Sequence, residues 1–117
     1  MRLTEITFTD AKPIEGYGPG FFRIGGVVHE GPVITGPAGT IAWNGYDDEA
    51  ALLALAGRID VLFVGTGADI AHLPQGLRDR LEAAGIGVEV MASASACRTY
   101  NILLSEGRRI GLALIPV

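Results

Sequence analysis

Two short segments carry residue types that could do chemistry. The first is Val64-Gly65-Thr66-Gly67-Ala68, which directly continues the apolar run Asp60-Val61-Leu62-Phe63-Val64. Glycine has no Cβ, so paired glycines let backbone N–H groups come close to a bound anion. Ligands of open α/β sheets bind beyond the carboxyl ends of strands, where this turn would fall. The fingerprint is incomplete. A dinucleotide loop needs a third glycine where this chain has Ile70, and a phosphate loop needs a Gly-Lys-Ser/Thr run that is absent. The competing reading is a tight turn in which glycine only relieves sterics.

The second segment is Ser95-Ala96-Cys97-Arg98-Thr99-Tyr100-Asn101, at the predicted start of a helix. The positive end of the helix dipole and the Arg98 guanidinium would both favour a thiolate at Cys97. The alternative is the usual fate of a free cysteine, a small buried hydrophobe. Arg98 could clamp a carboxylate or phosphate, or pair with Asp60 or Asp69. Thr99 and Asn101 could bond the same ligand or serve the backbone. Gly65, Thr66, Gly67, Cys97, Arg98, Thr99 and Asn101 thus define a candidate pocket for a small anionic ligand, between the glycine turn and the helix start. No catalytic residue can be assigned. A cysteine nucleophile needs a base, and nothing in the spacing brings His29 or His72, the only histidines, to Cys97. Those three residues lie too far apart in sequence to suggest a zinc site, and Asp47-Asp48-Glu49 reads as helix-capping charge. No metal and no cofactor are expected.

The elements that must position these residues fall into two halves. Short β-branched or aromatic runs separated by Gly/Pro breaks fill the first: a segment with Leu3, Ile6 and Phe8, then Phe21–Ile24, Val27–Glu30, Val33–Thr35 and Thr40–Trp43. Such runs predict hairpins. Gly16-Tyr17-Gly18-Pro19-Gly20 reads as a loop. The second half alternates. A helix over Glu49–Ala56, capped by Asp47 or Asp48 and ended by Gly57, leads to the strand ending in Val64. A helix opening near Pro74 carries Leu77, Leu81 and Ala84 and stops at Gly85; Gly87–Met91 is a strand. A third helix, capped by Ser93 or Ser95, carries Tyr100, Leu103 and Leu104, and Arg109–Ile115 closes the chain as a strand. The apolar run Asp60–Val64 is how a strand buried on both faces reads, so a sheet covered by helices is expected. Trp43, Tyr46, Tyr17 and Phe21-Phe22 are either core beneath the loops or a partner surface.

Composition narrows the function. The chain has 117 residues, 49% hydrophobic and 19% charged, which suits one packed domain over 1–117. A net charge of −4, with Arg108-Arg109 the only adjacent basic pair, argues against nucleic acid and anionic lipid. The N-terminal residues do not read as a signal peptide, and no apolar run is long enough to span a bilayer. With its single cysteine the chain is expected in the reducing cytoplasm, without direct membrane insertion. Free edges in the β-rich half leave a homodimer open.

Taken in order, Gly16-Tyr17-Gly18-Pro19, Phe22-Arg23-Ile24, Trp43, Val64-Gly65-Thr66-Gly67 and Ala96-Cys97-Arg98-Thr99-Tyr100-Asn101 resemble the Mth938-like family of unknown function. That family includes the mitochondrial complex I assembly factor 3 and the adipogenesis-associated Mth938 domain-containing protein. The resemblance implies a three-layer α/β domain, with a mixed central sheet, helices packed on it and an additional β-rich layer. It implies no enzymatic activity. The function it suggests is a binding or assembly-factor module that holds a protein partner while a membrane complex is built. It also places the glycine turn and the Cys97-Arg98-Thr99 segment near one cleft.

Overall fold

The computed structural model describes residues 11–117, so the expected strand around Leu3, Ile6 and Phe8 lies outside the described residues. Five strands come first: β1 (Ile14–Gly18), β2 (Phe21–Ile24), β3 (Val27–Glu30), β4 (Val33–Gly36) and β5 (Gly39–Ala42). A 3-10 turn (Gly45–Asp47) leads into α1 (Glu49–Leu53), then β6 (Val61–Thr66), α2 (Leu77–Ala83), β7 (Gly87–Met91), α3 (Ser93–Ser105) and β8 (Ile110–Ile115). β1, β2 and β3 form an antiparallel sheet of three strands. The other five form a sheet in the order β5-β4-β8-β6-β7. It is mixed: β5, β4 and β8 run antiparallel, whereas β6 is parallel to both β8 and β7.

Strand alternation sorts the core into two clusters. Ile34, Leu62, Val64 and Ala113 point to one face, against Trp43, Leu52, Leu77 and Leu81 from α1, α2 and their approaches. Val33, Phe63, Ile110, Leu112 and Leu114 point to the other, against Ala96, Cys97 and Tyr100 of α3 and Ile14, Phe22 and Ile24 of the small sheet. The central sheet is thus covered on both sides, by α1 and α2 on one and by α3 with the three-stranded sheet on the other. This is the expected three-layer α/β architecture.

Four local expectations change. Gly16–Gly18 belongs to a strand, not a loop. The Phe21 ring lies over Gly18, where a Cβ would come within 2.5 Å of Phe21 Cε1, so glycine here makes room for an aromatic. Asp47 and Asp48 cap nothing by side chain; the acid that matters is Glu49, held by Arg80 of α2 at 2.7 and 2.8 Å. Helix α1 is shorter than expected, although Gly57 does take the left-handed conformation (φ 81°) that ends the segment. Pro74 precedes α2, whose first turn follows Gly76. The aromatic set divides. Phe22 and Trp43 are core, Tyr46 stacks edge-on against Trp43 at 5.6 Å, and Tyr17 is exposed.

Candidate functional site

The glycine turn meets the first turn of α3 backbone to backbone. The Gly67 N–H donates to Ser93 Oγ at 2.9 Å, the Ser93 hydroxyl donates to the Ile115 carbonyl at 2.6 Å, and the Ser93 N–H donates to the Gly67 carbonyl at 2.9 Å. Ser93 is fully buried. A Cβ on Gly65 would fall 2.7 Å from both Ser93 Oγ and Leu114 Cδ2, and 2.8 Å from Ser93 Cα. Glycine is therefore required at 65 by the approach of the helix. The turn spends the Gly67 amide inside the fold and does not offer it to an anion. Ser93 is also not the helix cap expected of it: it is the first helical residue, and its hydroxyl ties β6 to β8.

The second segment lies deeper than expected. Cys97 is in the second turn of α3, not at its start, and is 4% exposed among core residues. Burial pushes its thiol up to about 11, with Arg98 opposing only in part. The expected thiolate is corrected on this point: desolvation of the charged form outweighs the nearby guanidinium. Arg98 is exposed and reaches Ser95 Oγ at 3.4 Å; Asp60 pairs instead with Arg109 at 3.7 Å. Thr99 is half-buried. Asn101 clasps the small sheet: its amide donates to the Ile14 carbonyl at 2.9 Å and its Oδ1 accepts the Ile14 N–H at 2.8 Å. Burial pushes the Tyr100 hydroxyl up to about 12, partly offset by Thr35, yet among the described residues the Tyr100 oxygen has no hydrogen-bond partner of good geometry. The Thr35 hydroxyl is engaged with that of Thr40 at 2.7 Å. The two motifs approach each other through the paired Gly67–Ser93 hydrogen bonds.

Thr66 has a different task. Its hydroxyl donates to the Asp69 carbonyl at 2.7 Å and accepts the Ala71 N–H at 3.0 Å, which folds the loop that leaves β6. That loop lines the cleft at the carboxyl ends of β6 and β7, about 540 Å³, with His72, Gln75, Arg78 and Asp79 on its walls. Arg78 donates to the Val88 carbonyl at 2.8 Å and lies 3.7 Å from Glu82, so it is anchored to the rim. The sequence reading placed ligand chemistry on the turn and missed this loop. The available signal was the long connection after β6, broken by Pro74 and Gly76. Two other clefts lie at Pro19, Phe21, Arg23, Val28 and Glu30 and at Arg58, Arg108 and Arg109. None of the three is lined by the seven residues of the expected pocket. Among the described residues no cluster of His, Cys, Asp or Glu could hold a metal ion, and no helix is long and apolar enough to cross a membrane.

The model of a family described as protein of unknown function (DUF498/DUF598) matches residues 14–115. The chain belongs to that family. Within it, the chain is 58% identical to an uncharacterised protein of Rhodobacter capsulatus over 117 residues, covering 100% of this chain and 94% of that one. It is 34% identical to mouse NADH dehydrogenase (ubiquinone) 1 alpha subcomplex assembly factor 3 over 123 residues, covering 99% of this chain but 66% of that factor's length. Among solved structures, an outer membrane protein of Bartonella henselae superposes with a TM-score of 0.82 at 34% identity, over 93% of this chain and 98% of that one. A Bordetella pertussis protein described as a Mth938-like domain superposes with a TM-score of 0.76 at 29% identity, over 99% and 92% of the two chains. The Mth938-like resemblance read from the motifs is thereby borne out.

Proposed function

We propose that this chain is an assembly-factor module, which holds a protein partner while a membrane complex of the NADH dehydrogenase kind is put together. The observation that carries this reading is the 34% identity to the mouse assembly factor, which runs through 99% of the chain and not through one motif. The geometry is consistent with it. Gly65, Gly67, Cys97 and Asn101 are engaged inside the fold, whereas Tyr17, Val27, Val28, Ile41, Ile70 and Ile102 are apolar and exposed. In this reading the module works from the cytoplasmic side of the membrane.

The test is deletion of the gene in the organism that carries it, followed by native gel separation of solubilised membranes. The expected outcome is a loss of assembled NADH dehydrogenase with accumulation of partial complexes, restored by the intact gene. A normal amount of active complex would sink the reading. Fractionation checks the compartment, with the chain expected in the cytosolic and peripheral membrane fractions.

A further inference from the structure

Positive charge is concentrated at the amino end of the central sheet. β6 and β8 are parallel neighbours there, and each follows a segment closed by a left-handed glycine, Gly57 at φ 81° after α1 and Gly107 at φ 77° after α3. An arginine comes next in both turns, Arg58 and Arg108, and Arg109 follows before β8 begins. Three of the nine basic residues thus meet in one cleft of about 550 Å³, in a chain whose net charge is −4. Among the described residues no carboxylate lines this cleft, and Pro37 and Leu104 give it an apolar side. Its volume falls within the ~300–1,000 Å³ of small-ligand sites.

The three arginines differ in what holds them. The Arg109 guanidinium donates to the Gly57 carbonyl at 3.0 Å and lies 3.7 Å from Asp60. It ties the turn after α1 to the turn after α3, and Asp60 offsets its charge. Arg58 and Arg108 are exposed, and neither side chain makes a hydrogen bond or ion pair among the described residues. Arginine beside a helix C-terminus commonly offsets the helix dipole. That accounts for little here. α1 has only five residues. The last carbonyls of α3 are already bonded: Leu103 accepts the Arg108 N–H at 3.2 Å and Leu104 the Gly107 N–H at 3.0 Å. Two like charges are therefore left unbalanced on the wall of one cleft.

We propose that this cleft binds a small soluble phosphomonoester, with Arg58 and Arg108 on its phosphate. Two unpaired guanidinium groups match a dianion, and each planar fork can donate to two oxygens of one phosphate. Arg109 is the positioning residue: it fixes the two turns from which the other two side chains reach. Pro37 and Leu104 lie beside them for the carbon body of the ligand. A phosphate in a lipid headgroup would offer the same chemistry, but an anionic bilayer would also have to accept the rest of an acidic chain. The site stands apart from the assembly reading, and the two are tested by different measurements.

The test is titration of the full chain with methyl phosphate at about pH 8, above the second phosphate pKa of ~6, at constant ionic strength. Amide shifts in nuclear magnetic resonance spectra are the readout. The expected result is saturable binding with Kd on the order of 1 mM, because the arginines are exposed. The shifts should centre on Gly57, Arg58, Gly107 and Arg108. The double variant Arg58→Gln/Arg108→Gln should weaken binding about tenfold or more, and each single variant about threefold. Arg23→Gln removes the same charge from the three-stranded sheet and should change affinity by less than about twofold. Dimethyl phosphate, a monoanion, should bind about tenfold more weakly than methyl phosphate. Vesicles containing phosphatidic acid should not sediment the chain. No saturable shift at the two turns overturns the proposal, as does an affinity that survives the single and double arginine variants. Equal binding of dimethyl phosphate or of succinate removes the phosphomonoester, and sedimentation with vesicles that depends on Arg58 and Arg108 removes the soluble ligand.

Discussion

The two sheets draw on the same short apolar strands, yet only one of them is closed. β6 and β8 of the central sheet are buried on both faces, and the Gly65 turn is packed so tightly on α3 that no side chain fits. The small sheet packs Phe22 and Ile24 into the core, while Val27 and Val28 of β3 are exposed. The motifs with chemical promise, glycine turn and cysteine helix, lie in the closed region. The plainer hairpins carry the accessible surface. Residues that look reactive in sequence can thus be the ones a fold needs for close packing.

This contrast can be attacked from its strongest side first. Gly65→Ala places a Cβ against Ser93 Cα at 2.8 Å and should cost about 3 kcal/mol or more, read from urea denaturation. A neutral Gly65→Ala would mean that the turn is looser than described and could open for a ligand. Asn101→Ala removes both bonds to Ile14 and should cost about 2 kcal/mol. Amide exchange should then rise in β1–β3 well before it rises in β6 and β8; a uniform rise would erase the distinction between the regions.

The buried thiol gives a pH signature. The Cys97 pKa is raised from 9.0 to about 11, so the unfolded thiol ionises before the folded one. Stability is therefore complete below pH 9.0 and falls as pH rises toward about 11, by on the order of 2 kcal/mol. Cys97→Ala should flatten part of that decline, and wild-type Cys97 should resist alkylation until the protein unfolds. Rapid alkylation of the folded chain at neutral pH would reopen thiol chemistry. Tyr100→Phe deletes a buried hydroxyl that has no partner among the described residues and should be neutral or stabilising by about 1 kcal/mol at most. A marked loss would reveal a partner for that oxygen.

Much of the fold was legible because its signals are local. The glycine breaks at Gly25-Gly26, Gly57 and Gly85 all mark positive-φ turns, and the apolar run into Val64 is a strand with both faces buried. The pattern from Gly16 to Asn101 was specific enough to indicate the family. What stayed hidden depends on partners far along the chain. Asn101 reads as a ligand donor until Ile14, 87 residues away, is seen to occupy it. Ser93 reads as a cap until Gly67 and Ile115 are seen on either side of its hydroxyl. The environment that raises the Cys97 pKa is likewise assembled from the small sheet and β8, which no local window contains.

The position of β8 has a consequence for how the chain is made. Synthesised after every other described element, it enters the middle of the central sheet, between β4 and β6. Until it arrives, β4 has only β5 beside it and β6 only β7, and each core cluster is missing the β8 residues that complete it. The emerging chain can form hairpins early, but its centre must wait for synthesis to pass Ile115. Through that interval the strand edges that end up deepest are uncovered, which makes the ribosome-bound stage, not the finished protein, the one most in need of a chaperone.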